Sequence, residues 1–142
     1  MEKFILTLLV ISVLSTGCKQ NNTFTETNAI KTSIDKTEED CISQNSSTAG
    51  MNECILKAEN AWEREIEKYM ALIKNITSKE DFKKIQLSQE KWELYKDSQM
   101  EVYNMIFPQG SMFQNISACS KKNLVKQRAL ALKSIYEILM AK

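Results

Sequence analysis

Histidine is absent from this chain, and glycine and proline are nearly so, with three glycines and one proline in 142 residues. Without histidine there is no Ser-His or Cys-His dyad and no His-containing zinc site. Three glycines leave no phosphate-cradling GxGxxG or GxxxxGK loop. So few turn residues exclude an all-β sandwich or barrel, which needs a turn every ~8–12 positions. An excess of one charge is lacking too. Nineteen basic and 18 acidic side chains give a net +1, so nothing points to nucleic acid. The length supports one domain with a tail. No enzyme chemistry and no cofactor are expected of it.

A long apolar run is also missing. The run Phe4 to Leu14 would rise only about 16 Å as a helix, against a hydrocarbon core of ~30 Å. A charged start, this short run and the small residues Ser15-Thr16-Gly17 describe a secretory signal over residues 1–17. Cys18 follows. Leu14-Ser15-Thr16-Gly17-Cys18 resembles the lipobox of bacterial lipoproteins, in which the cysteine is lipidated and becomes the first residue. Leu14 stands four residues before the cysteine, where the strict pattern has it three before. Lys19 rather than Asp in the next position implies outer-membrane sorting in Gram-negative lipoproteins. The expected location is the envelope, membrane-anchored through Cys18 and facing the periplasm.

Residues 18–40 then hold only Phe24, Ile30 and Ile34 as large apolar side chains. That is too little burial to offset ordering entropy, and the segment reads as a flexible tether, with a short helix around 28–39 as the alternative. The domain proper is assigned to residues 41–142.

Within it the period is helical. Met51, Ile55, Ala58, Trp62, Ile66, Tyr69, Ile73 and Ile76 recur at steps of three and four. Ser78 and the acidic Glu80 and Asp81 open a second helix, which carries Phe82, Ile85, Trp92, Tyr95, Val102 and Ile106. A loop from Phe107 to about Ser117 contains Pro108 and Gly110-Ser111. A third helix carries Leu124, Val125, Leu132, Ile135 and Leu139. Short links between long helices imply antiparallel neighbours. The expected fold is an all-α, up-down-up three-helix bundle after a flexible tether, with Trp62 and Trp92 in its core.

Polar residues interrupt the stripes. Gln89 lies between Ile85 and Trp92, and Arg128 between Leu124 and Leu132. A half-buried arginine needs a partner, and height along the bundle points to Asp97, with Glu59 and Glu63 at the same level. Gln89, Asp97 and Arg128 therefore read as a structural polar core. Cys41, Cys54 and Cys119 gather at one end of such a bundle and are disulfide candidates in an exported domain. With Cys18 lipidated one of the three is left over, and the sequence leaves open which two pair.

Taken together, Cys41, Met51-Asn52-Glu53-Cys54, the run Gln89-Glu90-Lys91-Trp92-Glu93-Leu94-Tyr95-Lys96-Asp97, Gly110-Ser111, Cys119 and Arg128 resemble the LprI-like lysozyme-inhibitor domain. This is a small helical module of bacterial envelope proteins. Met100 stands where that family has a further cysteine, Lys96 replaces its arginine and Gln109 its first glycine. The resemblance implies a helical fold and a binding role, with lysozyme as partner.

Charge weighs on that implication. Lysozymes of animal secretions are generally basic and call for an acidic surface. Residues 41–142 hold 15 basic and 12 acidic side chains. Acids gather on the first helix (Glu53, Glu59, Glu63, Glu65, Glu67), and Lys121, Lys122, Lys126, Arg128 and Lys133 on the third read as a solvated basic face. The candidate binding element is the loop around Gly110, Ser111, Met112 and Phe113, which would occlude a muramidase cleft. The alternative is a structural or interaction lipoprotein that binds another envelope component.

Overall fold

The computed structural model describes residues 32–106 and 110–142, and every element among them is α-helical. There are four helices: α1, Ser33–Gln44; α2, Thr48–Ile76; α3, Lys79–Ile106; and α4, Ser111–Met140. The signal segment and Cys18 lie outside the described residues, as do Phe107 to Gln109.

Two expectations are corrected. The described residues form four helices rather than three, because α1 takes in residues 33–40, assigned to the tether. It is nucleated by a capping box: the Thr32 hydroxyl accepts from the Asp35 amide at 3.2 Å, and the Asp35 carboxylate accepts from the Thr32 amide at 3.0 Å. The second correction concerns the expected loop, which ends at Gly110. Helical period continues backward from Cys119 through Ile116 and Met112, so residues 111–117 are the first turns of α4.

The starts of α2 and α3 have local causes as well. The Ser47 hydroxyl accepts from the Gly50 amide at 3.0 Å to open α2. The Ser78 hydroxyl does the same for Asp81 at 3.1 Å, and the acids Glu80 and Asp81 suit the positive end of α3. Side-chain pairs give the directions. Glu59 meets Lys121 and Tyr69 meets Tyr136, so α2 and α4 run parallel. Gln89 meets Arg128 and Asn104 meets Ser117, so α3 runs against α4. The Cys41–Cys54 bond sets α1 against α2.

The core belongs to one pair of helices. Trp62, Ile66 and Ile73 of α2 pack on Val125, Ala129 and Leu132 of α4, all buried. Phe82, Ile85 and Trp92 of α3 pack against this cluster only partly buried, and α3 contributes no buried residue at all. Trp62 is 3% exposed, as a core residue should be. Trp92 is half-buried.

Candidate functional site

Three lysines of α4 do not form a solvated face. Lys122 Nζ donates to both Glu38 carboxylate oxygens at 2.7 and 2.8 Å, with the two side chains only 8% and 7% exposed. Lys126 donates to Asp35 at 2.7 Å and also stands 5.5 Å over the Trp62 ring. Lys121 pairs with the buried Glu59 at 2.7 Å. Burial works to raise the Asp35 carboxyl, but the hydrogen bonds from Lys126 and Thr32 outweigh it and hold the group below its usual range. The hydrogen bond to Glu59 raises the Lys121 ammonium against its own burial, with Glu63 and Asp97 adding to the field. Residues 32–40 add four acidic side chains and one basic to the domain, which makes the folded unit neutral.

The second polar cluster joins α3 to α4. Arg128 Nε donates to Gln89 Oε1 at 2.8 Å, and its Nη2 donates to the Ser88 hydroxyl at 3.2 Å. Gln89 passes the chain on, donating to Glu93 at 2.9 Å, and Glu93 holds Lys96. Trp92 lies between two cations, with Arg128 at 5.9 Å and Lys96 at 5.2 Å from its ring centre. Desolvation lowers Arg128, opposed by the charge on Glu93. Gln89 and Arg128 are thus together as partners. Asp97 is not with them; it is exposed, and its charge acts on Lys121 rather than on Arg128.

Cys41 and Cys54 form the disulfide, with Cα atoms 5.7 Å apart. Cys119 is buried, and no described cysteine is a free thiol. Beside the disulfide an open groove of about 330 Å³ runs between α1 and α2, over Ile34, Ala58 and Ala61. Its one deep carboxylate, Glu38, is already held by Lys122. No group of side chains among the described residues is arranged to hold a metal ion, and no described helix is long and apolar enough to cross a membrane.

The end of α3 and the start of α4 differ from the rest of the described surface. No charged side chain occurs between Val102 and Ser120. Within that stretch Met105 is 75% exposed and Met112 70%, with Ile106 and Phe113 beside them. Gly110 precedes α4, and a Cβ there would stand 3.3 Å from the Phe113 ring, so the close approach of backbone to ring uses the missing side chain. Gly110 and the first turn of α4, Ser111 to Phe113, therefore sit at an uncharged, apolar tip.

The arrangement is one of internal ion pairs and an exposed apolar surface where α3 ends and α4 begins. The family model described as lysozyme inhibitor LprI matches residues 41–132. No curated protein matches the chain. A crystal structure of an uncharacterised protein from Burkholderia thailandensis shares the fold, with a TM-score of 0.70 at 23% identity. The alignment covers 80% of this chain and 58% of that one, so this chain spans under two thirds of its length. By the extent of the family match, the chain belongs to the LprI lysozyme-inhibitor family.

Proposed function

From that membership we propose that the protein is an envelope lipoprotein that binds lysozyme and blocks it by occlusion. The observation that carries this reading is the uncharged tip between α3 and α4. An apolar projection can enter a substrate cleft without the desolvation cost that charged side chains would impose. Its footing supports the same use, because Lys121 and Lys122 tie the first half of α4 to α2 and α1 and so limit the entropy lost on binding. The test is a muramidase assay with the purified protein added. Inhibition that disappears when Gln109 to Gln114 become a Gly/Ser segment of equal length, at unchanged helicity, supports occlusion by the tip. Inhibition that persists rules the tip out.

The address belongs to the same proposal. Cys18 carries the lipid, the signal over 1–17 is removed, and Lys19 directs the protein to the outer membrane. A lipidated Cys18 sulfur cannot also sit in a disulfide, so the intact mass of native protein reads its state directly. Acyl mass on a chain starting at Cys18, lost in Cys18→Ala together with detergent partitioning, is the expected result. A second reading is an interaction lipoprotein for another envelope component, favoured by the large exposed surface of α3. It takes over if the wild-type protein leaves muramidases unaffected.

A further inference from the structure

The outward side of α3 is not an ordinary solvated helix face. Leu87, Glu90, Leu94, Asp97, Glu101 and Met105 follow one another at steps of three or four residues, which places them on one stripe. The stripe runs about 27 Å along the helix. All six are exposed, Leu94 by 71% and Leu87 by 50%. The opposite side is occupied: Phe82, Ile85 and Trp92 pack on the core, and Gln89 holds Arg128.

The charges on this stripe are arranged unlike those elsewhere. Several acids on the other helical faces pair with a lysine one turn away, as in Glu53–Lys57, Glu65–Lys68, Asp81–Lys84 and Lys133–Glu137. Glu90, Asp97 and Glu101 have no basic residue three or four positions away and form no close ion pair among the described residues, although Asp97 adds to the field on Lys121 of α4. Asp97 and Glu101 stand four apart, as Glu63 and Glu67 do on α2, a like-charge spacing that weakens a helix. The lysine of this half-helix that could relieve them, Lys96, turns inward onto Glu93 and the Trp92 ring. Local stability is thus given up for a surface that alternates large apolar side chains with unpaired acids. Sequences break such local rules where a site requires it.

We propose that this stripe is the docking surface for a basic protein partner, resting on the reading above that the partner is lysozyme. Charge complementarity selects the occupant. A second copy laid on the stripe in either direction sets acids against acids, and an anionic bilayer or nucleic acid is repelled. A cationic protein surface meets Glu90, Asp97 and Glu101, and Leu87, Leu94 and Met105 fill the apolar spaces between its charges. Met105 is the last member of the stripe and lies at the apolar tip, so docking along α3 delivers the tip to the partner's cleft.

The experiment titrates the mature protein against purified lysozyme at low and at physiological salt. The triple variant Glu90→Lys/Asp97→Lys/Glu101→Lys should lose affinity by about tenfold or more at low salt and lose most of the salt dependence. The triple variant Glu53→Lys/Glu65→Lys/Glu67→Lys on α2 changes the net charge equally and should retain at least the larger part of both. Circular dichroism confirms that the two variants keep equal helicity, and Leu94→Ser tests the apolar half without altering charge. Wild-type binding and inhibition with an unaltered α3 variant, or an equal loss in the α2 variant, overturns the docking surface and leaves the lysozyme reading standing. No binding by the wild-type protein overturns both.

Discussion

Helices α3 and α4 are almost equal in length and both repeat apolar residues at helical spacing, yet they do opposite work. α4 buries Val125, Ala129 and Leu132 against α2 and turns its lysines inward onto acids. α3 buries nothing completely and leaves Leu87, Leu94, Tyr95, Val102, Met105 and Ile106 in solvent. Apolar period alone therefore says that a helix forms, not how deeply it is held. Depth is set by what the flanking polar residues find. On α4 they find partners on two other helices, whereas on α3 they find partners mainly within α3 itself.

The sharpest way to break the comparison is to truncate each tryptophan. Trp62→Ala removes a fully buried side chain from the α2–α4 core and should cost about 3–5 kcal/mol in a urea unfolding curve. Trp92→Ala, half-buried on α3, should cost roughly half as much, and equal losses would mean that α3 is core after all. Next comes the buried pair. Glu38→Ala leaves Lys122 uncompensated in the interior and should cost about 3 kcal/mol, while Glu38→Leu/Lys122→Met should recover most of that loss.

Acid titration gives a smaller effect. The Asp35 carboxyl is depressed in the folded state, so its contribution is complete above the unfolded value near 4 and is lost as pH falls through the folded value. Solvent screening keeps it below about 1 kcal/mol, and Asp35→Asn should flatten that part of the stability profile. Lys121 has the opposite sign: its raised ammonium contributes below about pH 10.4, and that is lost as pH rises through the folded value. Smallest of all, Leu94→Ala should change stability by no more than about 0.5 kcal/mol, which would place its large side chain outside the folding energetics.

Much of this contrast was open to a reader of the sequence, and the exceptions have physical causes. The stripe from Met51 to Ile76 and the start at Ser78 stand where spacing puts them. Gln89 and Arg128 interrupt two stripes and meet each other. Height alone matches Asp97 to Arg128, but eight residues beyond Gln89 is about 80° further round the helix, where its charge acts on Lys121 instead. Helix α1 stands in the sequence only as the alternative to a tether, because its inward side carries Ile34, Asp35 and Glu38, of which an apolar pattern registers one. The signal that could have found it is the cap, Thr32 with Asp35 three residues on. The burial of Lys122 had no local signal, since its partner is 84 residues away.

Helix α1 also bears on where this domain begins. The family match starts at Cys41, inside α1, and a boundary drawn there retains the disulfide. It discards the cap, Asp35 and Glu38. A chain begun at Cys41 would carry an excess of three positive charges and a buried lysine with no counter-charge. The ion pairs that hold α4 accordingly require the chain from Thr32 onward, and α1 acts as the counter-ion of α4.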